Sequence, residues 1–113
     1  MNYSELLPHI DVAEGSSRVM NNIKLYMKLL GKFQGRKMVD ELQLAITTAN
    51  HEEVAQSAHA IRGTAANLSF PTLLQITSEI ESLAKENKDC SHLMEQLTVA
   101  INGLEDAIAK LSS

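Results

Sequence analysis

Three features of the sequence predict an all-α fold: an antiparallel up-down four-helix bundle with a short N-terminal helix packed at one end. Apolar residues recur at three- and four-residue spacings along most of the 113 residues, the period of a core-facing helical stripe. β signals are sparse: aromatics are only 4% of the chain, and its Asn-Gly pair, Asn102-Gly103, falls inside an apolar heptad-like run rather than between strands. The segments between stripes are short, which makes successive helices antiparallel neighbours.

Each element has its own start and stop. The N-terminal helix is expected over about 3–14, with Asp11 capping a turn that runs through Glu14 and stops at Gly15. Ser16 or Ser17 then opens a helix over about 17–34, with Met20, Ile23, Met27, Leu30 and Phe33 on its stripe and Gly35 at its end. The next, over about 36–48, carries Val39, Leu42, Ala45 and Ile46. Asn50, with Glu53 three residues on, is a capping-box pattern that opens a helix over about 51–68. Ser69-Phe70-Pro71 interrupts, proline being tolerated in a first turn. A helix over about 71–87 follows, with Leu73, Ile76, Ile80 and Leu83, and frays at Asn87-Lys88-Asp89. Ser91 opens the last, over about 91–111, with Leu93, Leu97, Ile101, Leu104, Ile108 and Leu111.

Composition narrows the function classes. The length suits one domain, and 44% apolar residues is an ordinary globular value. A net charge of -4 without a basic stripe disfavours nucleic acid. No apolar run approaches the ~20 residues that span a bilayer, and no signal-like N-terminus is present, so a cytoplasmic protein without a membrane partner is expected. The single Cys90 has no internal disulfide partner. Metal binding is not expected: His51-Glu52-Glu53-Val54-Ala55 has Ala55 at the second ligand position of a His-Glu-x-x-His site, and His9, His51 and His92 fall at separate helix ends. No Gly-rich phosphate loop offers an ATP site, so neither a cofactor nor autokinase activity is expected.

The informative residue is His59. Val54, Ala58, Ile61, Ala65 and Leu68 define the buried stripe of their helix, and His59 lies about 140° from its centre, facing solvent. On the same outer sector come Ala55 a turn before, Gly63 a turn after and Ala66 two turns after. A mid-helix glycine costs roughly 1 kcal/mol relative to alanine, so this flat surface suits the close approach of another protein. Arg62 places a permanent positive charge beside an anion on the imidazole, and Gln56 stands at the rim. The bland readings are an ordinary surface histidine and a glycine used for internal helix packing; the second requires Gly63 on the buried stripe, opposite to its phase. Glu81 stands eleven residues past Phe70 and His59 eleven before it, so an antiparallel hairpin sets them at similar heights. There a carboxylate would accept the Nδ1 hydrogen and leave Nε2 nucleophilic. A solvated glutamate near Glu79 and Glu86 is the competing, somewhat commoner reading.

His59-Ala60-Ile61-Arg62-Gly63-Thr64-Ala65-Ala66-Asn67-Leu68 resembles the signature of histidine-containing phosphotransfer (HPt) domains, typically His-x-Leu-Lys-Gly-Ser-Ala-x-x-Leu-Gly. Arg62 stands where lysine is commoner, and Ser69-Phe70 where Gly-Ala or similar usually follows, so the end of that helix is expected to be capped differently. The resemblance covers nearly the whole chain and implies a single HPt domain over 1–113. It implies a phosphoryl carrier, not an enzyme, with His59 as phospho-acceptor and Arg62 as phosphate stabiliser. Ala55, Gln56, Gly63 and Ala66 would form the receiver-docking surface, while Glu81 remains the candidate imidazole orienter from the hairpin count alone. The implied partners are receiver domains of a hybrid histidine kinase and of a response regulator, the latter two supplying Mg2+; a monomer is expected. Two alternatives stay open: a domain cut from a chemotaxis-type or hybrid kinase, against which Met1 and the short length weigh, and a non-phosphorylated helical interaction module.

Overall fold

Side-chain oxygens of Asp11, Asn22 and Asn50 each accept the backbone N–H three residues on, at 3.1, 3.0 and 3.2 Å, and each starts a helix. In the computed structural model, which describes residues 3–112, the helices are α1 (Val12–Ser17), α2 (Ile23–Gly31), α3 (Gly35–Thr47), α4 (His51–Leu68), α5 (Pro71–Lys85) and α6 (Met94–Ser112). Short 3-10 turns lie at Tyr3–Leu6 and Ser91–Leu93. No strand occurs among the described residues, so the protein is an all-helical bundle.

The helix expected over 17–34 is shorter at both ends: α2 covers only Ile23–Gly31, and Ser17 is the last residue of α1. Met20 and Asn21 both take the left-handed conformation, with φ of 58° and 60°, and the Asn21 N–H closes α1 on the Ser16 carbonyl at 2.8 Å. Asn22 then caps α2. Met20, expected on the buried stripe, is 92% exposed in this turn. The chain leaves α2 before Phe33, whose ring tilts against Phe70 with centroids 5.1 Å apart. The single N-terminal helix expected over 3–14 is also divided: Pro8 lies between the 3-10 turn and α1, where a ring without an N–H interrupts helical bonding, and α1 continues through Gly15 to Ser17. At the other end, α5 stops at Lys85, two residues early, and Asn87 turns the chain with φ 57°.

Helices α3, α4, α5 and α6 close a ring of packed neighbours, α4 and α5 most closely. Their stripes meet at Val39, Leu42, Val54, Ala58, Ile61, Ala65, Leu73, Ile80, Leu97, Ile101 and Leu104, all buried. Gln43 donates to Thr98 at 2.7 Å, and Arg36 pairs with Glu105 at 3.3 Å; those two contacts make α3 and α6 antiparallel.

The far end of α4 is fixed from several directions. Ser69 takes the left-handed position that ends the helix, with φ 61°, where glycine is usual. Its hydroxyl donates to Glu14 at 3.0 Å and its carbonyl accepts the Asp11 N–H at 2.8 Å, which latches the N-terminal segment to the α4–α5 turn. The Ser69 hydroxyl, and next the Arg18 guanidinium, hold the Glu14 carboxyl below the usual glutamate range. Thr72 adds N–H and hydroxyl bonds to the Pro8 carbonyl. The buried Tyr26 hydroxyl donates to the Leu68 carbonyl at 2.6 Å, satisfying one of the orphan carbonyls of the helix end. Burial pushes this phenol up to about 12, and the charges of Asp11 and Glu14 add to the effect, so it stays a donor.

The Tyr26 ring lies so close to Gly15 that a Cβ there would collide with it. Gly15→Ala is therefore expected to lower stability by about 1–3 kcal/mol, read as a fall in thermal midpoint. An unchanged midpoint would mean that the ring moves aside at no cost.

Candidate functional site

The buried side of α4 is Val54, Ala58, Ile61 and Ala65, so the opposite face looks outward. His59 stands there with 65% of its side chain exposed. Gln56 and Gly63 are exposed beside it, and Ala55 and Ala66 half-buried. A Cβ built on Gly63 meets no atom within 4 Å. Internal packing therefore does not require this glycine, and the small-residue face is open to solvent.

Glu81 is one turn from the C-terminal end of α5 and almost fully buried, its side chain 6% exposed. Its Oε2 lies 2.8 Å from His59 Nδ1 and 3.2 Å from Lys85 Nζ, and its Oε1 accepts from Arg62 Nε at 2.6 Å. With only Ser69 and Phe70 between α4 and α5, this contact eleven residues either side of Phe70 makes the two helices antiparallel and sets Glu81 level with His59. Burial by itself pushes the Glu81 carboxyl up, but hydrogen bonds from His59, Lys85 and Arg62, with the Arg62 charge, outweigh it and hold the group below the ordinary glutamate range. An ionised carboxylate has only acceptors, so the ring nitrogen 2.8 Å away must carry the hydrogen. The geometry thus places a hydrogen on Nδ1; in the neutral ring that tautomer carries its free lone pair on Nε2. Arg62 Nη2 is 3.0 Å from the same Nδ1; with the hydrogen already committed to Glu81, it is a close neighbour and not a donor to the ring.

The residues singled out on α4 therefore share one face, and Glu81 joins them. The guanidinium of Arg62, however, is engaged with Glu81 on the Nδ1 side of the ring, not extended over the outer face. Sequence reasoning missed Lys85, which with Ala55, Gln56, His59 and Glu81 lines a shallow open concavity of about 420 Å3. Two signals pointed to it: the Glu81–Lys85 spacing of four on a helix, and equal distances of fifteen residues from Phe70 to Ala55 and to Lys85. Among the described residues no three His, Cys, Asp or Glu side chains converge as a metal site requires, and no helix is long and apolar enough to cross a membrane.

The family model of the Hpt domain matches residues 33–113, from the approach to α3 through α6, and the chain belongs to that family. Its members are phosphotransfer carriers that exchange phosphoryl groups with receiver domains in phosphorelays. No curated protein and no solved structure matches the chain.

Proposed function

We propose that this chain relays a phosphoryl group between receiver-domain aspartates through Nε2 of His59. The observation that carries the reading is an exposed imidazole whose inner nitrogen is held by a buried carboxylate. In the forward step the Nε2 lone pair attacks phosphorus, the P–O bond of the donor's aspartyl phosphate breaks, and the bonding pair leaves with the aspartate. No proton moves. The ring, still protonated at Nδ1, becomes cationic, and Glu81 offsets that charge across 2.8 Å. In the reverse sense the acceptor aspartate attacks the same phosphorus, and imidazole leaves neutral because its Nδ1 hydrogen is already in place. Little else is asked of the carrier, because phosphoryl transfer depends mainly on positioning and charge neutralisation.

Arg62 turns from Glu81 toward the phosphoryl oxygens, a short movement for a side chain already 38% exposed. Ala55, Gln56, Gly63 and Ala66 form the surface on which the receiver rests, bringing its aspartate and its own Mg2+ into line. The partners are the receiver domains of a hybrid histidine kinase and of a response regulator, and the carrier works as a cytoplasmic monomer, without autokinase activity.

The test is incubation with a phosphorylated receiver. Label that is acid-labile and alkali-stable is expected on the wild-type chain, with none on His59→Gln. A His59→Gln protein that still takes label would overturn the site, and a wild-type chain unlabelled by every receiver tried would favour a plain helical interaction module. Phosphotransfer profiles against many receivers separate a free carrier from a domain of one kinase by the breadth of partners accepted.

A further inference from the structure

One carboxylate oxygen, Glu81 Oε2, serves two cationic or donor groups at once, His59 Nδ1 at 2.8 Å and Lys85 Nζ at 3.2 Å. Lys85 reaches back one helical turn to a Glu81 carboxylate that is itself only 6% exposed, while its own side chain is 65% exposed and its flexible stem lets the ammonium swing to another anion. Arg62 lies one turn beyond His59 toward the C-terminal end of α4, whereas Lys85, on the antiparallel α5, sits on the opposite side at the height of Ala55. The concavity beside the imidazole has Lys85 on its wall and not Arg62.

We infer that Lys85 is a second phosphate-binding cation of this site: resting on Glu81, it transfers its ammonium to the phosphoryl group on His59, which it and Arg62 bracket from two sides. The inference rests on the phosphotransfer reading above and deepens it. Formal charge supports it. With a neutral imidazole, Glu81, Arg62 and Lys85 together carry one net positive charge. A dianionic phosphoryl group on a ring protonated at Nδ1 brings the cluster to neutrality. Without Lys85 the same step ends with an uncompensated negative charge beside a buried carboxylate, which opposes phosphorylation. The chemical partner of Lys85 is thus the phosphoryl dianion, on a donor as it arrives or on His59 once transferred.

The experiment uses the full chain and phosphoramidate, a small donor that gives up its phosphoryl group with loss of ammonia and needs no receiver surface. Labelling of His59 is followed by 31P NMR for the wild type, Lys85→Ala and Lys85→Arg, at low and high salt. Lys85→Ala is expected to label about three- to tenfold more slowly, with a weaker salt dependence, at a thermal midpoint close to wild type, and Lys85→Arg to restore the rate. Wild-type labelling rates in Lys85→Ala, at both salts, would overturn the inference. So would a loss that Lys85→Arg does not rescue and that follows a fall in thermal midpoint, since Lys85 would then act only by holding Glu81 in place. A wild-type chain that takes no label on His59 from phosphoramidate or from receivers would instead defeat the underlying phosphotransfer reading.

Discussion

A Gly63→Gln protein is expected to fold more stably than the wild type and yet to lose phosphotransfer from receivers by about 100-fold or more. The first half follows from the empty space around this residue: a side chain there meets nothing within 4 Å. Replacing a mid-helix glycine by a good helix former gains roughly 0.5–1 kcal/mol, a rise of several degrees in thermal midpoint for a domain of this size. The second half follows from reach. In-line transfer needs the receiver aspartate and Nε2 separated by little more than the phosphorus between them, and a misplacement near 1 Å costs about 100-fold. A glutamine one turn from His59 holds the partner off by more than that. Gly63→Ala, with a single extra carbon, should gain similar stability with a smaller loss of rate. The decisive measurement pairs a melting curve with a receiver-to-carrier transfer rate. Wild-type transfer by Gly63→Gln would move the docking surface elsewhere, and a lower midpoint would mean that the glycine serves the fold after all.

The residues that form this site were legible in the sequence to different depths, for reasons tied to what each signal measures. Helical phase depends only on the register of one helix, and α4 has a five-position stripe and a side-chain cap at Asn50; the outward direction of His59 and Gly63 needed nothing more. The height of Glu81 opposite His59 came from counting outward from Phe70, which works because that turn is tight. Its burial did not, since neither counting nor periodicity says that a carboxylate will sit under a histidine and an arginine. Its placement depends on α5 supplying a polar group at the edge of its apolar stripe, a matter of how two helices roll against each other. Lys85 was missed for the same reason, although its spacing from Glu81 was visible. The break between α1 and α2 was expected at Gly15 and falls later, at Met20-Asn21, because Met20 fits the apolar period that continues to Ile23 and Met27, while a left-handed methionine has no signature in the sequence. Asn22, a good cap directly before an apolar run, was the signal not read; the start was placed at Ser16 or Ser17 instead.

Glu81→Gln should separate the electrostatic part of this site from its shape. The amide keeps one acceptor oxygen, but the carboxylate now receives His59 Nδ1, Arg62 Nε and Lys85 Nζ on two oxygens, and the new NH2 faces donors. Nδ1 loses the partner that fixes its tautomer, and the cationic ring formed on phosphorylation loses its counter-charge. Transfer is expected to fall by about 100-fold, within the usual range for removing a group that positions a proton. Stability should fall by only about 1–2 kcal/mol, because Arg62 and Lys85 are exposed enough to find water. The pH dependence gives a second and independent reading. The donors around Glu81 hold its carboxyl below the ordinary glutamate range, so its contribution to folding is complete above the pH at which an unfolded glutamate ionises and disappears as pH falls through the lower, folded value. The stability gap between wild type and Glu81→Gln should accordingly close in acid. Glu14 and Asp89, whose carboxyls are also held low, titrate alike in both proteins and cancel from the difference. A gap that persists unchanged to low pH would mean that the substitution acts through packing, and a variant that transfers at the wild-type rate would mean that something other than Glu81 sets the His59 ring.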